Sequence, residues 1–211
     1  MDAGTIRNET SVGGNVDVNY RTLLFDAVSL SFNQLFFYTR LNHPAVLGDA
    51  SATDGTSLFY SADGYLDSKG FETNLKLTYD ELSFYVGYTL INAQTHYAGV
   101  TKQNPFTAKS RLYSTLMYEI DEKWRIGYEV FYVGRQTIRN GDIKPSYWVM
   151  GVSVERKWKH FSLFVNTENF LDVRQSRFES AYTGSLQNPQ FRDIWAPTDG
   201  FIYNGGFKLR L

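Results

Sequence analysis

Apolar and polar residues alternate with period two along most of the chain, and the alternating stretches are joined by connections that are short, then long, then short again. This pairing constrains the fold more than any other feature. Alternation puts successive side chains on opposite faces of a strand. A meander of such strands sends every second connection to the same end. "DE" at Asp80–Glu81, "IDEK" around Asp121 and "KWK" around Trp158 read as tight turns, and "TLLFDA" around Phe25 as a slightly longer one. Between them stand "NHPAVLGDASATDGTS", "YAGVTKQNP", "RNGDIK" and "LDVRQSRFESAYTGSLQNPQFRDIWAPT", which carry Gly, Asn, Asp and Pro. One end of the sheet therefore has tight turns and the other has long loops. A soluble sandwich has no reason for that asymmetry, whereas an outer-membrane barrel has short periplasmic turns and long extracellular loops.

The pattern predicts about nine strands, near 12–21, 28–41, 58–79, 82–96, 106–119, 123–138, 146–156, 160–170 and 199–211. In "WRIGYEVFYVGRQT", Trp124, Ile126, Tyr128, Val130 and Tyr132 share one face, against Arg125, Gly127 and Glu129. Phe71, Leu75, Leu77 and Tyr79 oppose Glu72, Asn74, Lys76 and Thr78; Val12, Val16, Val18 and Tyr20 oppose Asn15, Asp17, Asn19 and Arg21. "VSLSFNQLFFYTRL" and "SRLYSTLMYE" put apolar groups on both faces, through Phe36 with Phe37 and Leu116 with Met117. Tyr79, Tyr118, Trp124, Trp158 and Phe161 sit beside the short turns. Tyr38, Tyr132, Trp148 and Phe201 sit toward the long loops. Two such belts are what the two interfaces of a bilayer select. The expected fold is all-β: part of an antiparallel up-and-down transmembrane β-barrel. A soluble lipocalin-like barrel shows the same alternation with its apolar face turned inward, and a complete small porin or adhesin barrel is the other alternative.

Composition narrows the function. Lys plus Arg number 21 and Asp plus Glu 22, a balance that gives no support to nucleic-acid binding. The chain has no cysteine, hence no disulfide framework and no thiolate metal site. Aromatic residues make up 17% of a chain whose mean hydropathy is -0.34, as expected if they are segregated onto one face. No apolar run is long enough for a transmembrane helix, and "MDAGTIRNETSVGG" lacks the charged start and apolar stretch of a signal peptide.

The final third, "NTENFLDVRQSRF" followed by "WAPTDGFIYNGGFKLRL", resembles the last two strands of TonB-dependent receptors, in the style found in Bacteroidetes. Those receptors carry an Asn-Phe-x-Asp element after the penultimate strand; here it is Asn169, Phe170, Leu171 and Asp172. "YEVFYVGRQ" and "GFETNLKLTY" also look like strands of that barrel, and the resemblance runs from about Ser11 to the end. It implies an outer-membrane location and active uptake of a scarce solute such as a siderophore, cobalamin, haem or a saccharide. It implies contact with outer-membrane lipid and lipopolysaccharide, with a plug domain and the rest of the barrel, and with the TonB complex through an N-terminal region. The family's barrel has many more strands and an N-terminal plug, and about nine strands is an odd number where bacterial single-chain barrels have even ones. Residues 1–211 are therefore expected to form the C-terminal portion of a longer receptor. The terminal residue of the outer-membrane assembly signal is usually Phe; Leu211 departs from it.

Chemistry-bearing residues are sparse. His43 lies in the long connection "LNHPAVL" and His96 at the rim in "AQTHYAG"; either could touch a metal-bearing ligand, and a solvated loop histidine is the ordinary alternative. His160 lies beside a tight turn. Arg135, Arg192 and Trp195 stand with Arg139, Arg174, Arg177 and Tyr182 in the long connections, where a guanidinium fork suits carboxylates and catecholate-type chelates and a charged loop facing water is the ordinary reading. No G-x-S-x-G elbow or Walker-type loop occurs, and a nucleophile would need a partnered base. No enzyme activity, cofactor or metal centre is expected.

Overall fold

The structure is a computed structural model, and it describes residues 6–48 and 56–209. Nine strands form one antiparallel sheet in chain order. They are β1 (Thr10–Leu24), β2 (Val28–Asn42), β3 (Gly64–Tyr79), β4 (Leu82–Tyr97), β5 (Ser110–Ile120), β6 (Trp124–Val133), β7 (Tyr147–Lys157), β8 (Phe161–Glu168) and β9 (Ile202–Leu209). A short strand, Val100–Gln103, folds back onto β4. Among the described residues no ladder joins β1 to β9.

The connections alternate as the sequence predicts. Residues 25–27, 80–81, 121–123 and 158–160 turn the chain at one end; 43–63, 98–109, 134–146 and 169–201 connect it at the other. The tight turns follow from strand twist: a two-residue hairpin matches the right-handed twist only when its central residues take positive φ. Asp80 and Asp121 adopt that region (φ 49° in each), and Phe25, Asp26 and Glu122 follow. Boundaries differ from the sequence reading in five places. The strand expected near 123–138 ends at Val133, because Gln136–Thr137 pairs locally with Ile143–Lys144. The strand expected near 12–21 runs on to Leu24, which shrinks the turn around Phe25 to three residues. The stretch 58–79 is broken at Ala62–Asp63, because Phe59–Ser61 pairs locally with Ala45–Leu47. Phe106 belongs to a loop, and the last strand starts at Ile202. Leu211 lies outside the described residues.

Register resolves the two ambiguous strands. Phe36 aligns with Val16 and Phe71 on the apolar face, while Phe37 aligns with Asn15 and Gly70 on the polar one. Leu116 aligns with Phe84 and Tyr128; Met117 aligns with Ser83 and Gly127. The polar face is cross-linked by side chains. Asn33 donates to Asp17 and Asn19, Asn74 to Glu72, Tyr85 to Asn74, and Tyr85 pairs with the Tyr113 hydroxyl at 2.5 Å. Arg125 pairs with Glu119, and Ser162 and Lys208 both donate to Glu155. No large side chain of the apolar face is buried: toward the sheet edges Val16 is 63% exposed, Val165 58% and Phe207 67%, and mid-sheet Leu75, Val86 and Val152 are half-buried. The packed core among the described residues is small and lies in the long connections, where Ile138, Trp195 and Ala196 cluster with Phe106 and Tyr147. A lipocalin-like barrel would bury its apolar face; this sheet does not.

On β3 the apolar run from Tyr79 to Phe71 covers about 26 Å of strand at ~3.3 Å per residue. On β6 the run from Trp124 to Tyr132 has the same length and carries an aromatic at each end. Tilted by about 40° as barrel strands are, such a run stands about 20 Å tall, slightly shorter than the apolar band of about 25 Å on outer-membrane barrels. Beyond Phe71 and Leu90 the same face turns polar, with Lys69, Asp67, Asn92 and Gln94 in the next positions.

Candidate functional site

The long-connection end is where the chain builds polar structure beyond the sheet. Its largest connection, 169–201, is closed by the Asn-Phe-x-Asp element. Asn169 is nearly buried and sits at φ 48°, a backbone region that Asn tolerates better than most residues. Its Nδ2 donates to the carbonyls of Val173 (2.7 Å), Asp199 (3.1 Å) and Gly200 (3.3 Å), and its Oδ1 accepts the Val173 N–H (3.0 Å). One side chain thus ties the two ends of the connection together. Asp172 completes the clasp: it accepts the Phe201 N–H (3.2 Å) and pairs with Arg174 (3.1 Å) and Arg177. Desolvation opposes its ionisation, but the Phe201 bond and the two guanidinium groups prevail and hold its carboxyl below the usual range. Phe170 stays on the apolar side, with its ring near Tyr128.

The clasp positions a cluster around Trp195. The Gln175 amide oxygen accepts the Trp195 N–H at 2.9 Å, Gln136 donates to the Trp195 carbonyl at 2.6 Å, and the indole N–H donates to Glu179 at 2.5 Å. Phe178 and Tyr147 pack against the ring. Glu179 also pairs with Lys144 (2.8 Å) and Arg192 (3.0 Å). The Lys144 hydrogen bond, more than the Trp195 bond and the Arg192 charge, lowers the Glu179 pKa against the opposing cost of burial.

A second cluster lies beyond the apolar band on β2–β4. His96 bonds Asp67 through Nε2 (2.7 Å) and Thr101 through Nδ1 (3.0 Å), and its ring stacks on Tyr65 at 4.4 Å. Arg40 covers the same tyrosine at 3.7 Å. Register puts these residues on the apolar-face side of the sheet, above Phe71 and Leu90.

The sequence-derived candidates therefore separate. Trp195 and Arg192 meet in one cluster, where Trp195 is 5% exposed and its polar atoms are already bonded. His96 is held on the outer side of the wall. His43 lies at the foot of its connection at φ 51°, its N–H donating to the Gly64 carbonyl (3.0 Å) and its buried Nδ1 without a hydrogen-bond partner. Arg135 is exposed just after β6. Recesses open toward this end among the described residues. One of about 530 Å³ is lined by Glu129, Ser153, Asn166, Glu168 and Asn169. Another of about 430 Å³ is lined by Tyr97, Lys102, Gln103, Arg139 and Asn140. Gln175, Glu179, Lys144, Asp67 and Lys102 carry no local spacing that marks them in the sequence; the side-chain hydrogen-bond partners of Gln175, Glu179, Lys144 and Asp67 lie 13 to 35 positions away. Among the described residues, no group of three or more His, Asp or Glu is placed to hold a metal ion.

No family model matches the sequence, and no curated protein matches it. Solved structures do. An antiparallel up-and-down wall with tight turns at one end and elaborated connections at the other is the outer-membrane barrel architecture, and the similar structures are TonB-dependent receptors. The ferric-catecholate import receptor Fiu of Escherichia coli K12 is similar over 93% of this chain and 27% of its own, with 14% identity and a TM-score of 0.60. The FrpB iron transporter of Neisseria meningitidis is similar over 97% of this chain and 31% of its own, with 13% identity and a TM-score of 0.63. For the ferric enterobactin receptor PfeA of Pseudomonas aeruginosa the figures are 94%, 31%, 17% and 0.65. The chain thus spans less than a third of each of these proteins, and it has the fold of one stretch of their barrel wall.

Proposed function

We propose that this chain is the C-terminal wall of a TonB-dependent outer-membrane receptor that takes up a scarce solute. The observation that carries the reading is the bare apolar face. Its band, about 20 Å tall once strand tilt is counted, is near the apolar band of outer-membrane barrels and is edged by aromatics, while the opposite face is cross-linked by polar side chains. Backbone in lipid tolerates no open edge, so β1 and β9 are paired in the membrane by strands outside this chain. Similarity to a ferric-catecholate receptor, an iron transporter and a ferric enterobactin receptor favours an iron chelate as the solute. In this reading the plug and the TonB contact lie upstream, lipopolysaccharide surrounds the outer rim, and the Asn169–Asp172 element supports a Bacteroidetes-type receptor. The chain supplies wall and loops, not catalysis, and the long connections carry the solute contacts, with His43, Arg135 and the recess at Lys102 and Arg139 the accessible choices.

The test is the native protein's size and place. An antibody raised to "FRDIWAPTDG", Phe191–Gly200, is used on denaturing blots of outer-membrane and soluble fractions. A band several-fold heavier than 24.2 kDa in the outer membrane is expected. A 24.2 kDa band in the membrane overturns the receptor and leaves a small barrel. A band in the soluble fraction overturns both.

A further inference from the structure

The short-turn margin of the apolar face holds a cation with no acceptor among the described residues. Arg156 lies on β7 in the same parity as Val152 and Val154, so it points outward with the apolar band, and its register partners are Trp124 and Leu163. Its guanidinium sits 4.9 Å from the Trp124 ring centroid and 4.7 Å from that of Trp158. Trp158 is itself fixed, stacked on Phe161 at 4.6 Å and 11°, with its backbone N–H donating to the Phe161 carbonyl at 2.7 Å. The Lys157 N–H donates to the Lys123 carbonyl at 2.6 Å and joins the two neighbouring turns. Among the described residues Arg156 makes no ion pair and donates no hydrogen bond. Five acids of this rim, Asp80, Glu81, Glu119, Asp121 and Glu122, gather around a separate recess. Lys123, which pairs with Asp121 at 3.8 Å, and Lys159 are exposed on the turns flanking the arginine.

An exposed arginine with no carboxylate costs little in water. At the edge of a hydrocarbon band it is dear unless something satisfies its five donors. Two indoles hold the guanidinium plane in place but leave its N–H edge free, since they offer ring faces and no acceptor. We infer that Arg156, clamped by Trp124 and Trp158, binds the phosphate of a phospholipid in the leaflet on the short-turn side. The charge and the fork match a phosphate. The site lies at headgroup height, where tryptophans are selected. Lys159 adds to the attraction for an anionic headgroup.

This inference rests on the apolar face being lipid-facing. It is tested on the protein at its native length, purified from the outer membrane in mild detergent, by native mass spectrometry against added phosphatidylglycerol. Arg156→Gln is expected to weaken retention of the tightest lipid about fivefold, the loss of one cation at a membrane surface. Arg156→Lys, which keeps charge without the fork, should fall between. Arg21→Gln, on the polar face, should bind as wild type does, and millimolar inorganic phosphate should not displace the lipid. Heat-modified gel mobility confirms that each variant is folded. Wild-type retention by Arg156→Gln overturns this site alone, as does displacement by inorganic phosphate. A protein found only in the soluble fraction overturns both this site and the proposed function.

Discussion

Replacing Asn169 by alanine should open the largest connection without unfolding the wall. The substitution removes three donations to Val173, Asp199 and Gly200 and one acceptance from the Val173 N–H. Counted at about 1 kcal/mol for each of the two shorter bonds and less for the longer pair, with about 1 kcal/mol for alanine in a left-handed backbone, the loss is about 4 kcal/mol. It falls on local closing of residues 169–201, because β8 and β9 keep their ladder from Phe161–Leu209 to Glu168–Ile202. The assay is amide exchange. The Val173 and Phe201 amides should lose up to roughly 10³-fold of their protection, at a factor of ten per 1.4 kcal/mol, while Asn166 and Asn204 stay protected. Asn169→Gly keeps the backbone conformation and loses the bonds, so it should recover only about 1 kcal/mol. Asn169→Asp turns a carboxylate toward three carbonyls and should be at least as damaging as alanine. Wild-type protection of Val173 in Asn169→Ala, or full rescue by glycine, would refute the clasp.

Three further outcomes are expected. Val130→Arg, on the apolar face at mid-band, should cost about 2–4 kcal/mol of folding into lipid vesicles, whereas Thr115→Arg on the polar face should cost much less; equal folding yields would mean the faces are assigned the wrong way round. A Cβ at Gly87 would overlap the Tyr113 ring, so Gly87→Val should displace Tyr113 from Tyr85 and destabilise the wall by about 1–3 kcal/mol, read as a lower temperature of gel-shift unfolding. Because the folded-state pKa of Glu179 is lowered, its contribution is present above the unfolded value of ~4.3 and is lost as pH falls through the folded one. The emission difference between wild type and Trp195→Phe should therefore change on acidification, and Glu179→Gln should abolish that change.

The wall was legible because its information is local. Period two names the faces, turn chemistry at Asp80 and Asp121 names the ends, and alternating connection lengths name the meander, with no long-range contact needed. Where apolar groups fell on both faces, at Phe36 with Phe37 and at Leu116 with Met117, only cross-strand partners could decide, since a one-residue slip exchanges the faces. Trp195 illustrates the limit at the loops. In sequence it is an aromatic beside arginines, open to a ligand. In the fold, residues 20 and 59 positions away, Gln175 and Gln136, take its backbone groups, and Glu179 takes its indole N–H. His96 stands at the long-connection end of β4, and its side of the wall and its bond to Asp67 depend on the pairing of β3 with β4. The sequence by itself determined strands, faces and ends, because strand geometry converts parity directly into direction. Tertiary structure decided which polar groups meet across the connections, because the hydrogen bonds that close 169–201 join residues far apart in the chain.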